Sequence, residues 1–198
     1  MALRADVAVP TSQEEATRAR ILDAAFACAG RIGVGRTTMA DVARESKLSR
    51  QTLYRYYASK HDLFMALIQR EEEILFAQVM ASIAPHRELR PAVEASFRTI
   101  LRAMRAHPLL DRVMATEPQE LLPYLTIEAN PMRDMGIRMM EQVFAERGPG
   151  ISPILAHRAA EISSRLVTSY AIQPPDDDPD VVAAELAELV CNGLSKDR

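Results

Sequence analysis

Apolar side chains recur every three or four residues along most of the chain, the spacing that lays one buried stripe along a helix. The first stripe, Ile21, Ala25, Cys28 and Ile32, advances by four, three and four residues. Alternating Val/Ile/Thr runs closed by Asn-Gly or Asp-Gly turns do not occur, so the pattern predicts an all-α fold of about nine helices.

Punctuation places their ends. The first helix begins near Thr11 or Ser12, with Ser12 and Glu15 in capping-box spacing, and stops at Gly33 and Gly35. Thr37 or Thr38 caps a short second helix from Met39 to about Ser46. Lys47-Leu48-Ser49 is a tight turn, and Ser49 caps a third helix over Arg50–Tyr56. Ser59 caps a fourth, with Leu63, Leu67, Ile74, Leu75 and Val79 inward as far as Ile83. Pro91 stands in the first turn of a fifth, whose Val93, Phe97, Ile100, Leu101 and Met104 face inward to about Ala106. Pro108, Pro118, Pro123 and Pro131 divide the next stretch into helices at about 108–115, 118–128 and 131–146. After Gly148-Pro149-Gly150, two last helices cover about 152–172 and 179–193, the second capped by Asp178 and stopped at Asn192-Gly193.

Composition adds bounds. A chain of 198 residues, 48% of them hydrophobic, has room for a sizeable core. No apolar run reaches the ~18–20 residues of a membrane span, and the first residues lack the basic-then-apolar order of a signal peptide, so a cytoplasmic protein is expected. Cys28 and Cys191 lie at opposite ends of the chain, out of ligand spacing, and read as small apolar fillers. Charge is divided along the chain: residues 1–70 carry eleven Lys/Arg against seven Asp/Glu, whereas 71–198 carry thirteen against twenty. A basic head on an acidic remainder suits a protein that meets phosphate at one end, although an uneven solvated surface gives the same count.

The basic head holds the most specific signal. A short helix that opens on Arg50, Gln51 and Thr52 offers donors and acceptors that fit base edges in the major groove, arginine to guanine and glutamine to adenine. Tyr54, Arg55, Tyr56 and Lys60 add hydroxyl and cationic donors, and the helix starts at Thr37, Thr38 and Ser59 present backbone N–H groups to phosphates. Tyr54 and Tyr57 have two roles open, core packing and phosphate contact; packing suits Tyr57 and contact suits Tyr54.

The run from Thr37 to Tyr57 (TTMADVARESKLSRQTLYRYY), with Thr17–Ala25 before it and Ser59–Phe64 after it, closely resembles the helix-turn-helix of the tetracycline-repressor (TetR) family. The likeness spans roughly residues 17–68, about a quarter of the chain, and several elements match in order. It implies base reading by Arg50 and Gln51, backbone contact by Tyr54, Tyr56 and Lys60, and supporting contacts from Thr37, Thr38, Ser49, Thr52 and Arg55. Two positions depart from the pattern. Lys47 stands where the family usually has a glycine in a left-handed turn, a difference of about 1 kcal/mol. Ala29 replaces a phenylalanine, with Phe26 one turn earlier to refill the space.

Residues 1–12, with Pro10, read as a flexible lead, and the resemblance implies a DNA-binding domain over 13–60 and a ligand-binding and dimerisation domain over 61–198. It implies a homodimer through the last two helices, on a palindromic operator with half-sites about 34 Å apart. Ile154, Ile162 and Leu166 on one helix, and Val182, Leu186, Leu189 and Val190 on the other, supply apolar stripes, and Ala159, Ala160, Ser163, Ala183, Ala184 and Ala187 permit close approach, although packing within one chain is the alternative use of the same stripes. It also implies a pocket between the fourth and eighth helices. Phe97, Met104, Met114, Tyr124, Met135 and Met139 are adaptable apolar candidates for its wall, with His107 and Arg165 as polar anchors beside Glu117; a methionine-rich stripe serves plain core equally well. The expectation is a repressor released by a small apolar or amphipathic effector; the alternative is a DNA-binding regulator controlled by a protein partner. An enzyme is disfavoured: no HExxH pair, nucleophile elbow or Gly-rich phosphate loop occurs, and His61, His86, His107 and His157 are scattered. No cofactor or metal is called for.

Overall fold

Short polar side chains start the helices where a backbone N–H needs an acceptor, and the apolar period then fixes which face is buried. The computed structural model describes residues 12–120 and 130–194, all-helical with no strand among them. It divides into two compact units, Met1–Leu67 and Ile68–Arg198. The division falls inside the fourth helix, beyond the 60/61 boundary suggested by the motif.

In the first unit, α1 (Ser12–Ile32) ends where Gly33 takes φ 94, a left-handed turn open to glycine. Ser12 is already helical. Helix α2 (Met39–Glu45) is capped by Thr38 and α3 (Arg50–Tyr56) by Ser49, as their spacing predicts. Ile21, Ala25, Cys28, Val42 and Leu53 are buried together with the start of α4 (Lys60–Ile83), which is capped by Ser59 accepting from the Asp62 N–H at 3.1 Å. Ala29 is fully buried and Phe26 only half-buried, so the small residue at 29 is packed directly by its neighbours.

In the second unit, α5 (Leu89–Ala106) runs against α9 (Pro179–Leu194), and α7 (Asn130–Arg147) against α8 (Pro153–Ile172), with α6 (Leu110–Thr116) following α5. Pro118–Glu120 is helical, and the rest of the predicted 118–128 helix lies outside the described residues. Val93, Phe97 and Leu101 of α5 bury against Val182, Ala183, Leu186 and Ala187 of α9 in one core with Val143, Phe144 and Ala160. Arg90 pairs with Glu188 at 3.2 Å and Arg102 with Asp180 at 2.5 Å along that seam. Gly148 is needed at the α7 end, because a Cβ there would stand 2.2 Å from Ile151 Cδ1 and 2.8 Å from the Phe144 carbonyl oxygen.

Two expectations are corrected. Asn192-Gly193 does not stop the last helix: α9 continues to Leu194, whose burial in the core outweighs the ~1 kcal/mol helix penalty of a glycine. Ile74 is exposed rather than inward, because its neighbour Leu75 takes the core-facing position and adjacent residues on a helix point about 100° apart. Among the described residues no helix is long and apolar enough to cross a membrane, and no group of His, Cys, Asp and Glu is arranged to hold a metal ion.

Candidate functional site

The head is held by reciprocal caps. Thr38 Oγ1 accepts from the Asp41 N–H at 3.2 Å while the Thr38 N–H donates to Asp41 Oδ2 at 3.1 Å, a capping box that fixes the start of α2. The Thr38 hydroxyl and then its backbone N–H hold the Asp41 carboxyl below its ordinary value. At the other end of α2 the Lys47 N–H reaches the Arg44 carbonyl and the Leu48 N–H the Ala43 carbonyl at 2.9 Å, with Lys47 at φ 54. This is a Schellman turn with lysine in the left-handed position that usually takes glycine. It aims the chain into α3, where Ser49 Oγ accepts from the Thr52 N–H at 3.0 Å.

Leu53, fully buried, anchors α3, so the residues around it face outward. Arg50, Gln51, Tyr54 and Arg55 are exposed and Thr52 is half-buried against Ser49. Tyr57 is buried. Tyr56 is half-buried between two cations: the guanidinia of Arg18 and Arg55 each lie 5.4 Å from its ring centroid. Lys60 Nζ donates to the Gly35 carbonyl at 2.9 Å and lies over the Phe64 ring. Thr37 stands apart from this surface: it is buried, and its hydroxyl donates to the Gly33 carbonyl at 2.6 Å. Arg18 was not among the candidates; on α1, far from the motif in sequence, it is brought to the tyrosines by the fold alone.

The second unit holds a partly open cavity of about 110 Å³ between four of its helices. Glu72, Leu75, Phe76 and Val79 face it from α4, and Ser96, Phe97, Ile100 and Met104 from α5. Gly136, Met139 and Met140 close it from α7 together with Arg133, and Ser163, Ser164, Val167 and Thr168 from α8. Of the effector candidates, Phe97, Met104 and Met139 are brought together in this wall. Met114 and Met135 are half-buried elsewhere, His107 caps α5 and accepts from the Leu110 N–H at 3.2 Å, and Arg165 is exposed and paired with Glu161 at 2.7 Å. Tyr124 lies outside the described residues. Glu72 was missed by the sequence reading. Burial among apolar walls, and then the charge of Glu73, push its carboxyl up to about 7. Burial likewise pushes the Cys28 and Cys191 thiols up, in keeping with their role as fillers.

A third feature lies on α8 and α9. Ile154 and Ile162 on one and Val181 and Leu189 on the other are 68%, 56%, 52% and 69% exposed, so they form apolar surface without a cover within the chain. Val182, Leu186, Ala183, Ala187, Ala160 and Ser163 belong instead to the buried interior, because α5 and α7 already pack there.

Comparison with known proteins identifies these parts. Residues 21–67 match the N-terminal region of the bacterial regulatory proteins of the tetR family, and residues 88–192 match the bacterial tetracyclin repressor C-terminal domain. The transcriptional regulator AlkX of Mycobacterium tuberculosis is 28% identical over 155 residues, 77% of this chain and 73% of that one. The structure of the TetR family repressor AlkX from Dietzia sp., implicated in biodegradation of n-alkanes, superimposes with a TM-score of 0.72 at 29% identity, over 89% of this chain and 97% of that one. FadR of Bacillus subtilis, solved with stearoyl-CoA, shares the fold with a TM-score of 0.62 at 15% identity, over 88% and 98% of the two chains. Both ends of the chain carry the same assignment, and the protein belongs to the TetR family of DNA-binding transcriptional regulators.

Proposed function

We propose that this regulator is a cytoplasmic repressor that binds a palindromic operator as a homodimer and is released by a small apolar or amphipathic effector held in the α4/α5/α7/α8 cavity. The observation that carries the reading is the cavity: apolar walls that include Phe76, Phe97, Met104 and Met139, in the part of the chain that does not hold the helix-turn-helix. Its volume is somewhat below that of an engineered ~150 Å³ cavity that takes benzene, the scale of a small apolar group. Unbranched methionines at 104 and 139 repack around a longer chain at small cost. The Dietzia repressor, implicated in n-alkane biodegradation, is consistent with hydrocarbon chemistry at this place.

Duplex reading falls to Arg50 and Gln51 in the first turn of α3, with Thr38, Ser49, Thr52, Tyr54, Arg55, Tyr56 and Lys60 positioning the backbone. Dimerisation falls to the exposed stripe of Ile154, Ile162, Val181 and Leu189, which a two-fold axis would cover with its own copy. An effector that favours a conformer poorly matched to the operator weakens DNA by the same factor that DNA weakens the effector. Helix α4 contributes Lys60 to the head and Glu72 to Val79 to the cavity wall, and we assign the coupling to it.

Selection of a duplex from a random library, followed by titration of that duplex with and without linear alkanes, alcohols and amines, tests the reading. Enrichment of a palindrome and loss of affinity with a stabilising ligand are expected. No enrichment above non-specific binding overturns the DNA assignment, and tight ligands that leave operator affinity unchanged overturn the effector assignment. For the dimer, Ile162→Asp with Leu189→Asp is cleaner than removing α9, which buries Val182 and Leu186 in the core. The double variant is expected to have monomer mass by light scattering; a folded dimer refutes the interface.

A further inference from the structure

Glu72 is the carboxylate of the cavity lining, and it stands there without a partner among the described residues. Its neighbours on α4 are engaged: Glu71 pairs with Arg70 at 3.1 Å and faces His107 at 3.9 Å, and Glu73 accepts from Gln69 at 3.0 Å. Among the described residues Glu72 makes no hydrogen bond and no ion pair. Three of the four hydroxyls in the wall are turned to their own helices, Ser96 donating to the Val93 carbonyl at 2.7 Å, Ser163 to the Ala159 carbonyl at 2.7 Å and Thr168 to the Ser164 carbonyl at 3.1 Å. Arg133, the other charged residue of the lining, lies 3.6 Å from Asp134 and makes no ion pair with Glu72. The carboxyl of Glu72 lies in an apolar wall with the rings of Phe76 and Phe97, and among the described residues no cation stands within ion-pair distance of it.

We propose that Glu72 reads the head group of the effector and that the molecule taken is a cationic amphiphile, a protonated aliphatic amine whose ammonium pairs with the Glu72 carboxylate while its hydrocarbon body lies against Phe76, Phe97 and Met139. Ammonium relieves the desolvation penalty of the carboxylate and is attracted to aromatic faces. An anionic amphiphile would instead set like charges beside Glu72 and Glu73. The proposal rests on the cavity being the effector site.

The full chain is titrated calorimetrically with octylamine, 1-octanol and octanoate, and each mixture is then tested for operator binding. At pH 8 octylamine is expected to bind at least about tenfold more tightly than either analogue, the scale of one close charge pair in a partly desolvated site. Glu72→Gln removes that advantage, so that octylamine and 1-octanol bind the variant about equally, and 1-octanol binding also shows that the variant retains its cavity. Between pH 8 and pH 6 the amine stays charged while Glu72, titrating at about 7, takes up a proton, so amine affinity falls about tenfold in the parent and stays level in Glu72→Gln. That level profile separates Glu72 from His107, which the variant leaves in place. Equal amine affinity in parent and Glu72→Gln, or octanoate binding as tight as the amine, overturns the head-group assignment. If 1-octanol still binds and loosens the operator, the effector cavity survives that failure; if none of the three binds the parent, both readings fall.

Discussion

Lys47 permits a direct test of how the helix-turn-helix is built. Its φ of 54 places a side chain in the left-handed region, at the C-terminal turn of α2 where the Leu48 N–H bonds the Ala43 carbonyl. The left-handed conformation costs an L-residue about 1–2 kcal/mol, whereas the greater freedom of unfolded glycine takes back about 0.5–1 kcal/mol. Lys47→Gly should therefore stabilise the protein by roughly 0.5–1 kcal/mol, or about 1–4 °C in Tm for a chain of this size. Lys47 is exposed, so no packing is lost with it. Lys47→Ala is the decisive companion: it removes the same charge and keeps the Cβ, and it should stay within about 0.5 kcal/mol of the parent. Urea unfolding followed by circular dichroism at one fixed protein concentration measures both, and amide exchange at Leu48 reports the turn itself. If Lys47→Gly is no more stable than Lys47→Ala, backbone strain at this turn is not what separates lysine from glycine, and the reasoning fails.

Other outcomes follow from the same geometry. Arg50→Ala or Gln51→Ala should relax base preference at one operator position by about 1–3 kcal/mol, while Lys60→Ala weakens all duplexes alike and lowers the salt slope by about one, read by fluorescence titration at several salt concentrations. Glu72 binds its proton more tightly folded than unfolded, so its favourable contribution is complete below its ordinary value of 4.5 and is lost as pH rises toward about 7. Glu72→Gln should therefore gain on the parent as pH climbs from 4.5 to 8, by on the order of 1 kcal/mol, and denaturation curves across that range show whether the difference grows. Gly136→Ala should stabilise α7 by about 0.5–1 kcal/mol, because its Cβ would meet Phe76 at an ordinary 3.9 Å; a loss in a urea titration would contradict the wall geometry.

Local chemistry carried far in this chain. Thr38, Ser49 and Ser59 start α2, α3 and α4 where their spacing puts them, because a cap needs only a short polar side chain and the N–H groups just after it. The same holds for the outward turn of α3, since a buried Leu53 dictates where Arg50, Gln51 and Tyr54 point. Helical period says which face of a helix is apolar but not which helix covers it. Val182, Leu186, Ile162 and Leu189 therefore look alike in sequence, and only the packing of α5 and α7 makes the first two core and leaves the other two exposed. Thr37 reads as a helix start and is in fact a buried hydroxyl on Gly33. Nothing in the Arg-Glu-Glu-Glu run around Glu72 singles it out, whereas His107 and Arg165 read as pocket anchors. Tertiary structure turns Glu72 toward an apolar cavity and gives His107 and Arg165 partners elsewhere, because whether a charged side chain meets water or a ligand depends on what the neighbouring helices bring across from it.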